Sequence, residues 1–156
     1  FKPVNKEQLA LQLQSEGIEK DVSYILSEIF GSYDDAKNAL KEGHIINSYD
    51  LFKKIINAKI NNKDQYIEYY LNKKLITSGE SHKWFLEILT LFKREEIRYI
   101  EKRESRYFNE FFENLNYDNI KVFDITKQID EINIAIERLN VKINVDLVYA
   151  SLFQIL

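Results

Sequence analysis

The sequence predicts an all-α fold, and two observations carry that expectation. One proline and four glycines among 156 residues leave the turn signals far apart, which favours long helices over a sheet-rich chain. The apolar residues, 45% of the total and ample for a folded core, recur at steps of three and four along the chain.

Residues 1–43 read as three short helices. Pro3 keeps the opening FKPV extended. Asn5, with Gln8 three residues on, resembles a capping box, Leu9, Leu11 and Leu13 follow, and Gly17 is placed to be the C′ residue. Val22, Ile25, Leu26 and Ile29 carry a second helix to Gly31. Ser32 or Asp34 opens a third, with Ala36, Ala39 and Leu40 inward and Gly43 closing it. Three helices of this size bury little by themselves, so the unit is expected to lean on neighbours in a larger protein.

Beyond Gly43 the helices lengthen and aromatic residues multiply. Asn47 or Ser48 can cap a helix whose inner face is Leu51, Phe52, Ile55, Ile56 and Ile60, and NNKD at 61–64 breaks it. Tyr66, Ile67, Tyr70 and Leu71, with Leu75 a further candidate, define the next helix, and TSGES at 77–81 makes a turn. Ser81 precedes the longest pattern, Phe85, Ile88, Leu89, Phe92, Tyr99 and Ile100, which continues through Tyr107, Phe108, Phe111 and Phe112 with a break placed near Ser105. NLNYDN at 114–119 is a loop, and Val122 and Phe123 lead into the final pair of helices.

In that pair, Ile125, Ile129, Ile132, Ile136 and Leu139 form one stripe, so the first helix is amphipathic. Asn144 stands as N-cap of the second. Its run VDLVYASLFQIL puts apolar groups at 145, 148, 149, 152 and 156, with a second set at 147, 150 and 155. At roughly 1.5–3 kcal/mol for each large side chain fully buried, leaving the second set in water forgoes several kcal/mol. The helix is therefore expected either to be central to a bundle or to meet a partner.

The charge balance narrows the function classes. With 22 basic against 25 acidic side chains the net charge is −3, which gives no global attraction to nucleic acid or anionic membrane. The absence of cysteine excludes disulfides, thiolate catalysis and cysteine metal sites, and fits a reducing cytoplasm. No apolar run approaches the ~18 residues of a membrane span. A start at Phe1 and the lack of methionine read as an excised part of a longer polypeptide.

No self-contained active site is expected. His44 and His82 each stand beside a boundary with no second ligand at metal-binding spacing, and are read as surface or capping residues. The carboxylates fall on polar helix faces, with no pair set apart as general acid and base. No nucleophile motif, phosphate loop or dinucleotide fingerprint is present, so neither metal nor cofactor is expected. Arg94, Arg98, Lys102 and Arg106 recur every four residues as a basic ridge on the long helix, a candidate contact for nucleic acid or an acidic partner. Like charges at that spacing disfavour a helix by a few tenths of a kcal/mol each. Glu95 and Glu101, each three residues from Arg98, can neutralise much of the ridge, and Tyr69, Tyr70 and Trp84 are read as packed, not stacked on bases.

Two stretches resemble subunits of the bacterial DNA polymerase III clamp loader, the delta-prime type most closely. FKPVNKEQLALQLQSEGIEKDVSYILSEIFGSYDDAKNAL is similar to the small helical lid of AAA-plus clamp-loader subunits, with its F-x-P opening, Leu-rich helix and Gly-Ser turn into an Ala-containing helix. ATP-binding relatives carry a sensor-two arginine there, in a pattern like Gly-x-x-Arg-Asp-Ala. Here Gly31, Ser32 and Tyr33 lead to Asp34, Asp35 and Ala36, so the arginine position holds Asp34, which would repel a γ-phosphate. That resembles a subunit that does not hydrolyse ATP more than the gamma/tau motor. The ending ERLNVKINVDLVYASLFQIL is similar to a family ending in which Arg-Leu precedes an Asn-Val-Asn-Pro turn and a Leu-rich helix. Arg138, Leu139, Asn144, Leu147 and Leu152 match it, while Lys142 and Val145 replace the first Asn and the Pro. Residues 44–124 carry no motif of that family.

The resemblance implies a lid at 1–43 and a helical collar at 44–156, without catalysis or cofactor. It implies a cytoplasmic hetero-pentamer with gamma/tau and delta subunits, which loads a sliding clamp on primer-template DNA and touches no membrane. Leu147, Ala150, Ser151, Leu152 and Ile155 would form the subunit interface. The rival expectation is a stand-alone nucleic-acid-binding domain using the 94–106 ridge, and a carboxylate enzyme would require a deep pocket gathering several acids.

Overall fold

The computed structural model describes residues 5–102, 104–141 and 143–156, and within them the fold is all-α. The helices are α1 (Lys6–Ser15), α2 (Lys20–Ile29), α3 (Tyr33–Glu42), α4 (His44–Ile60), α5 (Gln65–Asn72), α6 (Gly79–Ile100), α7 (Asn109–Asn114), α8 (Val122–Asn140) and α9 (Val145–Ile155), with a 3-10 turn at Lys73–Leu75. No helix among the described residues is long and apolar enough to cross a membrane.

Local chemistry sets most of the helix ends. Asn5 Oδ1 accepts from the N–H of Glu7 at 2.9 Å and opens α1. At its far end Gly17, with φ +89°, lets its own N–H reach the Gln14 carbonyl and that of Ile18 reach Leu13, a Schellman closure. Ser32, not Asp34, caps α3 by accepting from Asp35 N–H at 3.2 Å. Gly43, at φ +78°, ends α3 and begins α4 at once. The α4 helix therefore starts at His44, earlier than the expected cap at Asn47 or Ser48. Ser48 lies buried inside it and donates to the Ser81 carbonyl at 2.9 Å. Asp64 caps α5, and Ser78 caps α6 three residues before Ser81.

Helices α4 and α6 pack on each other at the centre. The other face of α6 receives α8, and α9 is held between α8 and α5, which itself lies on α4. Aromatic rings fill the middle: Phe52 of α4 meets Phe92 of α6 at 5.2 Å, Phe108 at 5.3 Å and Phe111 of α7 at 5.6 Å. A second group gathers on α9, where Tyr149 meets Tyr69 of α5 at 4.5 Å and Phe85 of α6 at 5.8 Å.

The unit α1–α3 does lean on a neighbour, and that neighbour is the rest of this chain. Tyr24 stacks on Tyr107 at 5.4 Å, Phe30 packs on Trp84 at 5.4 Å, and buried side chains from both parts form one cluster.

Two further expectations are corrected. The inner face of α5 is centred on buried Tyr69, whereas Ile67, Tyr70 and Leu71 are 57%, 51% and 68% exposed. Tyr69 also supplies a hydroxyl that donates to Asp146 in the first turn of α9. The long helical pattern ends at Ile100, where Lys102 takes φ +60° and donates its N–H to the Tyr99 carbonyl. Tyr107 to Phe112 therefore return as a separate element, folded back on Phe52 and Phe92.

Candidate functional site

The final helix is built into the core along one side and open along the other. Asn144 Oδ1 accepts from the N–H groups of Asp146 at 3.0 Å and Leu147 at 3.3 Å, as its cap role requires. Asp146 then accepts from Tyr69 Oη at 2.9 Å and Lys73 Nζ at 3.1 Å. The bonds from Lys73 and Tyr69 hold this carboxyl below the usual carboxylate range. At the other end Lys59 Nζ donates to the Leu156 carbonyl at 3.2 Å.

Five interface residues were expected on α9, and they divide. Leu147 is 63% exposed and Ile155 44%, with exposed Ser151 between them at helical spacing, and Ala150 is half-buried. Leu152 is only 2% exposed, packed with Val148, Tyr149 and Phe153 in the chain's own core. It is unavailable to a second chain because the helix seam that faces α5 and α8 passes through it. The outer face continues at the α8–α9 corner, where Val141 and Ile143 are exposed.

Beside this corner lies a groove of about 720 Å³, walled by Leu86 of α6, Ile136 and Leu139 of α8, Ile143 and Val145. Glu80, Lys83 and Glu87 add charge, and His82 also lines it. His82 is half-buried and bonds across the core rather than capping a helix: its Nδ1 lies 2.8 Å from the Tyr149 hydroxyl, and burial lowers its pKa. His44 opens α4, with Nδ1 3.2 Å from Ser81 Oγ. Among the described residues no group of three or more His, Asp and Glu could hold a metal ion.

The expected basic ridge does not exist as one surface. Arg94 is exposed on α6, but Lys102 lies past the end of that helix and Arg106 in the connection to α7. Arg106 bonds Glu95 at 3.0 Å and Glu28 at 3.1 Å, and Arg98 stands 3.9 Å from the same Glu95 oxygen. Ending α6 at Ile100 turns the last two cations out of the row, and two of the four are directed to carboxylates.

No curated protein, no solved structure and no protein-family model matches the chain.

Sequence reasoning missed the buried charges. Lys93 Nζ lies 2.8 Å from Glu96 Oε1 with both side chains almost wholly enclosed, and Tyr117 donates to the other Glu96 oxygen at 2.6 Å. Lys59 approaches the same group, and its pKa falls to about 8, through burial first and Lys93 second, with Glu96 opposing. The signal was present in the spacing: Glu96 continues the apolar row Phe85, Leu89 and Phe92, and Glu95 the row Ile88 and Phe92. A second group of acids, Glu19, Asp21 and Glu110, lines a cleft of about 170 Å³ with Lys53. Two of these acids serve the fold: Tyr49 Oη is 3.1 Å from Glu19 and 3.2 Å from Asp21, and Asp21 also accepts from Phe108 N–H at 3.1 Å. Burial raises the Asp21 pKa, against the bonds from Phe108 and Tyr49. Asp34 is exposed in the first turn of α3, where a carboxylate complements the helix dipole.

Proposed function

We propose that the chain is part of a non-catalytic bacterial clamp-loader subunit of the delta-prime type. In this reading residues 1–43 are the AAA-plus lid and 44–156 the collar, which joins gamma/tau and delta subunits in a cytoplasmic ring that loads the sliding clamp on primer-template DNA. The observation that carries the reading is the outward row Leu147, Ser151 and Ile155 on a helix whose other side is core. The row lies in one of the two stretches that resemble this family, at the position of its Leu-rich last helix. An acid at Asp34 agrees with a subunit that assembles and does not hydrolyse ATP.

The test uses the full-length subunit coexpressed with gamma/tau and delta. Leu147→Asp is expected to keep wild-type helicity and melting temperature while copurification with gamma/tau is lost. Leu152→Asp is expected to unfold the domain, because it puts a charge into the core. Copurification that survives Leu147→Asp combined with Ile155→Asp would remove α9 as the interface.

A further inference from the structure

Charge is not spread evenly along this chain. Residues 53–74 carry six lysines against two acids, a net of +4, whereas the remainder holds 16 basic against 23 acidic side chains, a net of −7. That basic segment covers the second half of α4, the turn at 61–64, α5 and the start of the 3-10 turn. It also presents apolar surface. Ile67, Tyr70 and Leu71 are each more than half exposed and share one side of α5, at steps of three and four. The opposite side of the helix is seated in the fold, with Tyr69 buried against Tyr149 and its hydroxyl bonded to Asp146, so the outward row cannot turn inward. Exposed Lys63 stands just before the N-cap Asp64, and exposed Lys74 in the 3-10 turn after the helix. Neither lysine forms an ion pair among the described residues. Of the two acids in the segment, Asp64 caps α5 and Glu68 accepts from Asn72.

We propose that the outer side of α5 is a membrane-surface site: Ile67, Tyr70 and Leu71 enter the headgroup boundary of an anionic bilayer, and Lys63 and Lys74 meet its phosphates. An apolar row with cations at its ends is the pattern of an interfacial helix, because a lysine stem lies along hydrocarbon while its ammonium stays in the polar layer. The acidic remainder of the chain sets the orientation, since an anionic surface attracts this side and repels the others. Two other occupants fit less well. Ile67 and Leu71 have no face on which a base can stack, and the Tyr70 ring already carries Lys73 Nζ at 4.1 Å. A stable protein partner covers about 800 Å², more than the outer side of an eight-residue helix presents. Adsorption of this kind is reversible, uses none of the outward residues of α9, and does not rest on the clamp-loader reading.

Flotation of the intact chain with lipid vesicles tests the site. Binding is expected with equal parts phosphatidylcholine and phosphatidylglycerol and not with phosphatidylcholine alone, and it should fall away in salt near 1 M, where the screening length is ~3 Å. Leu71→Asp should lower the vesicle affinity by about tenfold or more, since a large side chain no longer leaves water. Lys63→Glu combined with Lys74→Glu should also release the chain, and both variants should keep the wild-type melting temperature because all three side chains are exposed. Leu71→Ser takes the place of Leu71→Asp should the latter melt early. Leu11→Asp is the control: Leu11 is 55% exposed on α1, outside the basic segment, and the variant should bind as the wild type does. No binding to the mixed vesicles at low salt overturns the site. So does an equal loss in Leu11→Asp, or binding that Leu71→Asp leaves unchanged, which would be adsorption by charge alone. Retention of a single-stranded oligonucleotide or of poly-glutamate, lost in these variants while the vesicles are ignored, overturns it in favour of that partner.

Discussion

Lys59 occupies a site where its charge is held at a cost, and that cost has a pH signature. Its pKa is about 8 against an ordinary 10.5, so between these values the unfolded chain binds the proton that the folded chain has released. Stability therefore rises with pH across that window, by on the order of 3 kcal/mol if Lys59 acts by itself. Above about pH 10 the sign reverses. Burial raises the pKa of Tyr49, Tyr69, Tyr107, Tyr117 and Tyr149, so the unfolded chain then loses protons first. Urea midpoints measured from pH 7 to pH 11 should pass through a maximum near pH 10, and Lys59→Met should flatten the rising limb. A rising limb that persists in Lys59→Met would assign it to another group. Nothing in the pattern at Lys59 announced this, because the neighbours that define its site, Lys93 and Glu96, come from another helix.

At the scale of the element, the start of α9 depends on a single side chain. Asn144→Ala removes the acceptor for two N–H groups and should cost about 1 kcal/mol in chemical denaturation, whereas Asn144→Gly should cost only a few tenths. Equal losses from both substitutions would mean that the side-chain bonds contribute little. This cap was legible from sequence, as were Asn5, Gly17 and Gly43, because each closes a hydrogen bond within a few residues of itself. The face of α5 was not. Its tyrosines make two sides of the helix similarly apolar, and the buried side is the one whose hydroxyl bonds Asp146. The same limit applies to α6, whose stop at Ile100 rests on Arg106 and Asp21 contacts that reach α2. It applies also to α9, where one apolar stripe entered the core and took Leu152 with it.

For the whole molecule, the aromatic centre joins elements that the chain keeps far apart. Phe52, fully enclosed, touches Tyr49 of its own helix, Phe92 of α6, and Phe108 and Phe111 at the start of α7. Phe52→Ala should cost about 3–5 kcal/mol, a large share of the 5–15 kcal/mol typical of a folded domain. Ile67→Ala, on the outward side of α5, should stay within about 0.5 kcal/mol. Urea unfolding of both variants measures the contrast, and similar losses would mean that α5 packs through its other face.

Helical class and most helix termini follow from the sequence, since hydrogen bonds to the fourth residue and apolar spacing are short-range properties. The stretch from Asp124 onward could likewise be read as an amphipathic helix, a cap and a second helix apolar on two sides. Only the tertiary structure decided which of those sides is core, where α6 stops, and that Glu95 and Glu96 are buried while Arg106 spans two helices. Those outcomes depend on groups distant in sequence that become neighbours only after packing. A charge or an aromatic face cannot be assigned to water or to the core until the partner that competes for it is in place.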